Sequence, residues 1–189
     1  VRLVYEKVGK SVESGWEKTN SSEEVLVSKF HIISSSILKN FDIILLPIRN
    51  ILDAAVSHNK RFNTPFKKHC MLNLKLYQDY KNKATYIFKY EDYSVFYIKK
   101  LCDEILHVSL TYEQIIDIMN DLDKMLNSKS IIPKDDHDNK EYQKTLLSQH
   151  HNTSGGKINK FIDSMPKNIL IGLIKNRAIK QYLIENNYF

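Results

Sequence analysis

The stretch DIILLPIRNILDAAVS, residues 42–57, carries the strongest fold signal in the chain. An apolar run from Ile43 to Ile48 between polar residues is typical of a strand buried on both faces of a parallel sheet. Arg49 then stands at the carboxyl end of that strand, where open α/β sheets bind ligands. Ser57 lies about two turns into the helix that the sequence predicts next. Arginine binds phosphate through two donors and a serine hydroxyl can donate a third bond, so the pair suits an anion.

The composition is that of a folded protein with an excess of positive charge. The chain has 189 residues, 42% of them hydrophobic, which is enough for one domain with a core. A net charge of +6 suits an anionic ligand, but the lysines are scattered, so we expect no nucleic-acid partner. Cys70 and Cys102 lie far apart without metal-ligand spacing and indicate a reducing compartment, the cytoplasm. No apolar run reaches the ~20 residues of a membrane span, and no signal peptide is visible.

Strand and helix signals alternate, which predicts an α/β fold with a parallel sheet flanked by helices. Thr111 and Gln114 form a capping box, and Asp92 is expected to cap the helix that passes through Ile105. The predicted strands are 25–29, 42–48 and 85–90. The predicted helices are 1–10, 34–40, 51–61, 67–82, 92–105, 111–126 and 167–186, with polar segments after the first helix and at 128–140.

Each predicted strand ends in polar side chains. The carboxyl ends of parallel strands meet at one edge of a sheet, so these side chains are expected to converge on one cleft. Such a cleft would suit a multiply charged anion. The groups concerned are Lys29 and His31 after the first strand, Arg49 and Ser57 after the second, and Tyr90 and Glu91 after the third.

The order K-x-H, RNxxDxxxS, YED and a glycine-lysine turn resembles that of the P-loop sulfotransferases. The fold of these enzymes is similar to that of nucleotide kinases. They move a sulfuryl group from 3′-phosphoadenosine 5′-phosphosulfate (PAPS) to a hydroxyl or an amine. The resemblance covers residues 25–188 and implies one sulfotransferase-like domain over 1–189. It also implies PAPS as co-substrate and a small-molecule or carbohydrate as acceptor.

The resemblance implies a role for each matching residue. His31 would be the general base that takes the acceptor proton, and Lys29 would lie beside the phosphosulfate. No metal is required. The residues implied in donor binding are Arg49 and Ser57 for the 3′-phosphate, Tyr90 on the adenosine side with Glu91 as structural support, and Gly156 and Lys157 in the place of the second 3′-phosphate loop. That loop has an Arg-Lys-Gly order in the family, which the turn Gly155-Gly156-Lys157 lacks.

One element of the family pattern is missing from this sequence. The family begins with a strand and a PKSGST-like loop that binds the 5′-phosphosulfate, and Gly9-Lys10-Ser11 does not follow a predicted strand. Residues 1–10 look like the end of the long helix that comes after this loop. We therefore expect the loop to precede Val1, and we expect poor donor binding and little catalysis without it.

Other interpretations of the same residues stay open. Arg49 can form an ordinary ion pair with Asp53 at i+4, and Ser57 can simply pack on the sheet. At the level of function, the alternatives are a non-catalytic sulfotransferase-like module that binds an anion or a protein, and a small-molecule kinase of the same fold class. A PKSGST-like loop before Val1 would favour the sulfotransferase, and GxxxxGK[ST] with Mg²⁺ dependence would favour the kinase.

Overall fold

The computed structural model describes residues 1–30, 32–127 and 159–188. The chain divides into two compact units, and each is assembled from two separate stretches of sequence. The stretches are Val1–Ile43 with Asp92–Gly155 for the first unit, and Ile44–Glu91 with Gly156–Phe189 for the second.

Among the described residues, each unit contains one pair of strands together with several helices. A short 3₁₀ turn at Tyr90–Asp92 follows the last strand, and a π-helical turn at Cys102–Leu106 extends the fifth helix. The described elements in chain order are α1 (Arg2–Lys7), β1 (Val12–Trp16), β2 (Val25–Lys29), α2 (Ser35–Leu38), β3 (Leu45–Ile48), α3 (Ile51–Phe62), α4 (Phe66–Tyr80), β4 (Tyr86–Lys89), α5 (Val95–Leu101), α6 (Tyr112–Asn127), α7 (Phe161–Ser164), α8 (Lys167–Lys175) and α9 (Arg177–Glu185).

In the first unit, β1 and β2 pair in parallel, with Trp16 opposite Lys29. Their connection contains no helix, unlike the usual crossover between parallel strands. It opens at Glu17, whose φ of 52° is left-handed. The sequence predicts β2 correctly but only a polar segment at β1, because Glu13, Ser14 and Gly15 have poor strand propensity.

In the second unit, β3 and β4 pair in parallel, with Ile48 opposite Lys89. The helices α3 and α4 connect the two strands, and α9 packs on α4. Apolar side chains from all three helices are buried together in the core of this unit. They include Ile51, Leu52 and Val56 of α3, Cys70 and Leu74 of α4, and Ile179 and Leu183 of α9.

The start of α3 is fixed by its own sequence. The side chain of Asn50 accepts a hydrogen bond from the Leu52 amide at 3.0 Å and so caps the helix. The helix ends at Asn63, which adopts a left-handed conformation with a φ of 52°. Arg49 therefore lies directly before the capping residue, where the hydrogen bond of Asn50 fixes how the chain enters α3.

The predicted strand 42–48 is shorter and less buried than expected. It begins at Leu45, and Leu45 and Leu46 are half-buried while Pro47 is exposed. Within the described residues, β3 pairs with β4 alone, and an edge strand tolerates a proline that cannot donate to a ladder. The expectation of a strand buried on both faces is wrong.

The predicted closing helix 167–186 is two helices, α8 and α9. Asn176 separates them, because its side-chain oxygen accepts from the amides of Ala178 at 3.1 Å and Ile179 at 3.2 Å. An asparagine that caps in this way starts a new helix, which a continuous apolar pattern does not reveal.

Two capping predictions have opposite outcomes. Thr111 and Gln114 form the reciprocal bonds of a capping box, at 2.8 and 3.3 Å. Ser94, not Asp92, caps α5 by accepting from the Tyr97 amide at 3.2 Å. The structure is mixed α/β, as the sequence predicts, but its described strands form two separate two-stranded parallel sheets instead of one sheet. A P-loop kinase-like sheet and a single domain over 1–189 stay predictions.

The core of the second unit gives a direct stability test. Leu52 is fully buried, whereas Leu72 on α4 is 49% exposed. We expect Leu52→Ala to lower the free energy of unfolding by about 2–5 kcal/mol, because it leaves a cavity. The matched control Leu72→Ala should change it by less than about 1 kcal/mol. Urea denaturation measures both, and equal losses would contradict the packing.

Two stacked histidines join α3 to α4. The rings of His58 and His69 have centroids 3.9 Å apart and planes 19° apart. Burial and the charge of Arg61 lower the pKa of His58. Burial and the neighbouring His58 lower the pKa of His69 to about 4. In the unfolded chain both histidines become protonated near pH 6.5, whereas in the folded chain they do so only at lower pH. The contribution of the two neutral histidines to the free energy of unfolding is therefore fully present above about pH 6.5 and is lost as the pH falls toward 4.

His69→Phe should remove part of this dependence. Phenylalanine keeps an aromatic ring against His58 but cannot titrate. We expect the free energy of unfolding of the variant to change less between pH 7 and pH 5 than that of the parent. Urea denaturation at the two pH values measures the difference, and an unchanged dependence would refute the role of His69.

Candidate functional site

Two strand ends meet in the second unit, and polar side chains follow both of them. The strands β3 and β4 are parallel, and the last residues that they pair are Ile48 and Lys89. The next residues, Arg49 and Tyr90, therefore lie at the same end of the strand pair. The guanidinium carbon of Arg49 lies 5.0 Å from the centre of the Tyr90 ring, a cation–π contact. The predicted convergence is confirmed for these two strands.

The backbone on both sides of Arg49 is held by hydrogen bonds. The hydroxyl of Tyr182 donates to the Arg49 carbonyl at 2.7 Å. The Asn50 amide donates to one oxygen of Glu91 at 2.9 Å, and the hydroxyl of Tyr188 donates to the other at 2.9 Å. Burial raises the pKa of Tyr182, which keeps its hydroxyl protonated as a donor. Glu91 therefore has a structural role, and these contacts fix the position of Arg49.

Two side-chain atoms of the predicted anion ligands are buried without a hydrogen-bond partner: Nε of Arg49 and Oγ of Ser57. Buried donors are normally paired, and an unpaired one costs about 1–3 kcal/mol. The guanidinium nitrogen is a donor and the hydroxyl can donate as well. Each is a group that an acceptor oxygen of a phosphate or sulfate would satisfy.

Asp53 does not pair with Arg49. Its fully buried carboxylate accepts from the backbone amides of Asn159 at 2.6 Å and Phe161 at 3.0 Å. The alternative of an ordinary Arg49–Asp53 ion pair is therefore wrong, because both carboxylate oxygens bind the chain that leads into α7. This anchoring role was not predicted. A single carboxylate within the apolar run of α3 is the sequence signal that could have indicated a buried partner.

Lys29 ends β2 in the first unit. Its ammonium lies 4.6 Å from the centre of the Trp16 ring, and burial lowers its pKa. The hydroxyl of its neighbour Ser28 is buried without a hydrogen-bond partner. Lys29 thus has a partly desolvated environment beside the Trp16 ring.

Three predicted site residues lie outside the described residues: His31, Gly156 and Lys157. The roles expected for them stay predictions. Tyr182 and Tyr188, which support the site, were not predicted. Both are among the aromatic residues of the closing segment, and no spacing in the sequence distinguishes them from core residues.

The described ranges contain no group of three or more His, Cys, Asp or Glu residues that could hold a metal ion. None of the helices in those ranges has the length and apolar character needed to cross a membrane. Comparison of the chain with protein-family models, with curated proteins and with solved structures finds no significant match. Any function for this chain must therefore be argued from the geometry around Arg49.

Proposed function

We propose that this chain carries the 3′-phosphate half of a PAPS-dependent sulfotransferase site. In this proposal, the protein moves a sulfuryl group from PAPS to a hydroxyl or amine of a small-molecule or carbohydrate acceptor, on a P-loop kinase-like fold. The cytoplasm is the proposed compartment, in keeping with two buried free thiols, Cys70 and Cys102.

The observation that carries the proposal is the pair of buried donors without partners, Nε of Arg49 and Oγ of Ser57. Either group alone would be unremarkable, but both belong to the strand-to-helix segment that supplies anion ligands at the edge of parallel sheets. A tetrahedral phosphate has enough acceptor oxygens to bond to both. A neutral ligand would leave the charge of the guanidinium without compensation.

The surroundings of Arg49 prepare it for such a ligand. The Tyr90 ring lies against its guanidinium and limits the rotation of that plane. The bonds from Tyr182 and to Glu91 hold its backbone. A side chain that is already ordered loses less conformational entropy on binding. The exposed Tyr90 ring also offers an apolar face for the adenosine of the donor.

The transfer step follows from the proposed roles of Lys29 and His31. The bond between sulfur and the oxygen bridging it to the 5′-phosphate breaks, and a bond between sulfur and the acceptor oxygen or nitrogen forms. His31 takes the acceptor proton, and the ammonium of Lys29 neutralises the charge that develops on the leaving phosphate oxygen. Lys157 and the amide of Gly156 would add donors to the 3′-phosphate.

The binding half is tested with two nucleotides that differ by one phosphate. We expect the chain to prefer adenosine 3′,5′-bisphosphate over adenosine 5′-monophosphate, as measured by isothermal titration calorimetry. Arg49→Ala should reduce that preference by about 10–100-fold, because a hydrogen bond to a charged group contributes about 1.5–3 kcal/mol. Ser57→Ala should reduce it less, since its neutral hydroxyl supplies one bond.

The matched control is Arg61→Ala, which removes an exposed arginine near the opposite end of α3. This variant should keep the full preference for the bisphosphate. A preference that is absent from the parent chain, or unchanged by Arg49→Ala in a folded variant, would remove the basis of the proposal.

Turnover separates the enzyme from the alternatives. Because residues 1–189 contain no PKSGST-like loop, the assay uses a chain extended by its upstream coding sequence, with radiolabelled PAPS and a set of phenols, sugars and amines. His31→Ala should abolish sulfuryl transfer while bisphosphate binding persists, and an active variant would refute the base. Binding without any transfer by the extended parent would favour the binding module. Mg²⁺-dependent transfer from ATP would favour the kinase.

A further inference from the structure

The second unit has a groove of about 540 Å³ between the corner where α3 meets α4 and the helices α8 and α9. Its floor is mainly apolar, and the polar groups beside the floor are engaged in the fold. The Asn59 amide donates to the Thr64 carbonyl at 3.0 Å, and Asn176 caps α9. The apolar floor is formed by Pro65, Phe66, Ile169, Gly172, Leu173 and Ile179.

The two stretches of chain that form this groove carry charge of one sign. Residues 59–67 and 169–179 contain no Asp or Glu. They contain five exposed cationic residues, the rim cations: Lys67, which lines the groove, and Lys60, Arg61, Lys175 and Arg177, which lie within two residues of lining residues in the sequence. An apolar floor within two cationic stretches of chain is complementary to an apolar surface flanked by carboxylates.

The groove is distinct from the candidate site at Arg49. Arg49 precedes the first turn of α3, whereas the groove begins at Asn59, near the last turn. At a rise of about 1.5 Å per residue, the ends of this helix lie roughly 18 Å apart. An occupant of the groove therefore need not contact Arg49, although Ser57 lies only two residues before Asn59.

Apolar surface continues beyond the floor within the same two stretches. Phe62 is 50% exposed and Ile171 is 54% exposed. The cations belong to two separate stretches of chain, and Lys67 is the one that lines the groove itself. A membrane surface contacts an exposed helix face, whereas here the apolar residues line a recess. An amphipathic helix laid in the groove would contact the floor and both walls at once.

We propose that this groove docks an acidic amphipathic segment of a partner protein. Its apolar side chains, at helical spacing, contact Phe66, Leu173 and Ile179, and its Asp and Glu residues pair with the cations of the rim. The cations contribute mainly to the association rate and to specificity, and the apolar floor contributes most of the affinity.

The test uses fluorescence anisotropy with a labelled synthetic peptide of leucine and glutamate in which the leucines recur at i, i+3, i+4 and i+7. We expect saturable binding that weakens with added salt. A scrambled peptide of the same composition, without this period, should bind at least about tenfold more weakly, because it cannot present one apolar face. Equal binding of the two peptides, or no saturable binding of the periodic one, overturns the proposal.

Two sets of variants locate the binding. Space around Gly172 is open, since no atom lies within 4 Å of the point where a Cβ would stand, so Gly172→Leu should fill the groove without harming the fold. It should weaken peptide binding about tenfold. The double variant Lys67→Glu with Lys175→Glu should also weaken peptide binding. The control is Lys75→Glu with Lys83→Glu, which changes the net charge by the same amount and should leave peptide binding unchanged. Undiminished binding by a folded Gly172→Leu variant also overturns the proposal.

The last comparison distinguishes a membrane from a protein partner. Vesicles of phosphatidylserine and phosphatidylcholine replace the peptide in a co-sedimentation assay. Vesicle binding that the double charge reversal abolishes, without binding of the periodic peptide, assigns the surface to a membrane and overturns the proposal. Arg49→Ala should leave peptide binding unchanged, so this test is independent of the proposed transferase function.

Discussion

The carboxylate of Glu91 is the interaction on which the second unit depends. It follows β4 directly, accepts from the Asn50 amide at the start of α3, and accepts from the Tyr188 hydroxyl near the end of the described chain. One side chain thus ties together a strand end, a helix start and the closing segment. A carboxylate that accepts two hydrogen bonds is well compensated for its partial burial. It adds to the β3–β4 pairing, which already places the turn that carries Arg49 beside the end of β4.

Asp53 provides a second constraint one turn further along the helix. Its carboxylate is fully buried, yet it accepts two backbone amides from the segment that enters α7. A buried charge is tolerated only when it is paired or hydrogen-bonded, and here the partners are amides that would otherwise need solvent. The first turn of α3 is therefore held from both sides, by Glu91 at its start and by the 159–161 segment at Asp53. The carboxylates of Glu91 and Asp53 are thus hydrogen-bonded within the fold, whereas Nε of Arg49 is buried without a hydrogen-bond partner.

The sequence predicts the parts of this structure that depend on local pattern. Apolar runs place β2, β3 and β4, and the spacing of buried residues places α3 and α4. The capping box at Thr111 is equally local. The predictions that fail concern two elements. The strand β1 has no apolar pattern and forms by pairing with β2. Asn176 divides an apparently continuous helix because its side chain accepts hydrogen bonds from two following amides. The sequence predicts that Arg49 and Tyr90 follow neighbouring strand ends, but it does not predict the bond from Tyr182 that holds the Arg49 carbonyl, because a hydroxyl bonded to a carbonyl over a hundred residues away leaves no local trace.

The unpaired donors at Arg49 and Ser57 need an explanation in terms of free energy. Each buried donor without a partner costs about 1–3 kcal/mol, a large fraction of the stability of a typical domain. Asp53 does not relieve that cost for Arg49, since each of its oxygens accepts a backbone amide, and the Tyr90 ring lies against the guanidinium. The same contacts that stabilise the turn therefore keep the donors available. An anion that binds there recovers the hydrogen bonds that the fold leaves unmade, and because the side chains are already ordered, little of that gain is lost to entropy.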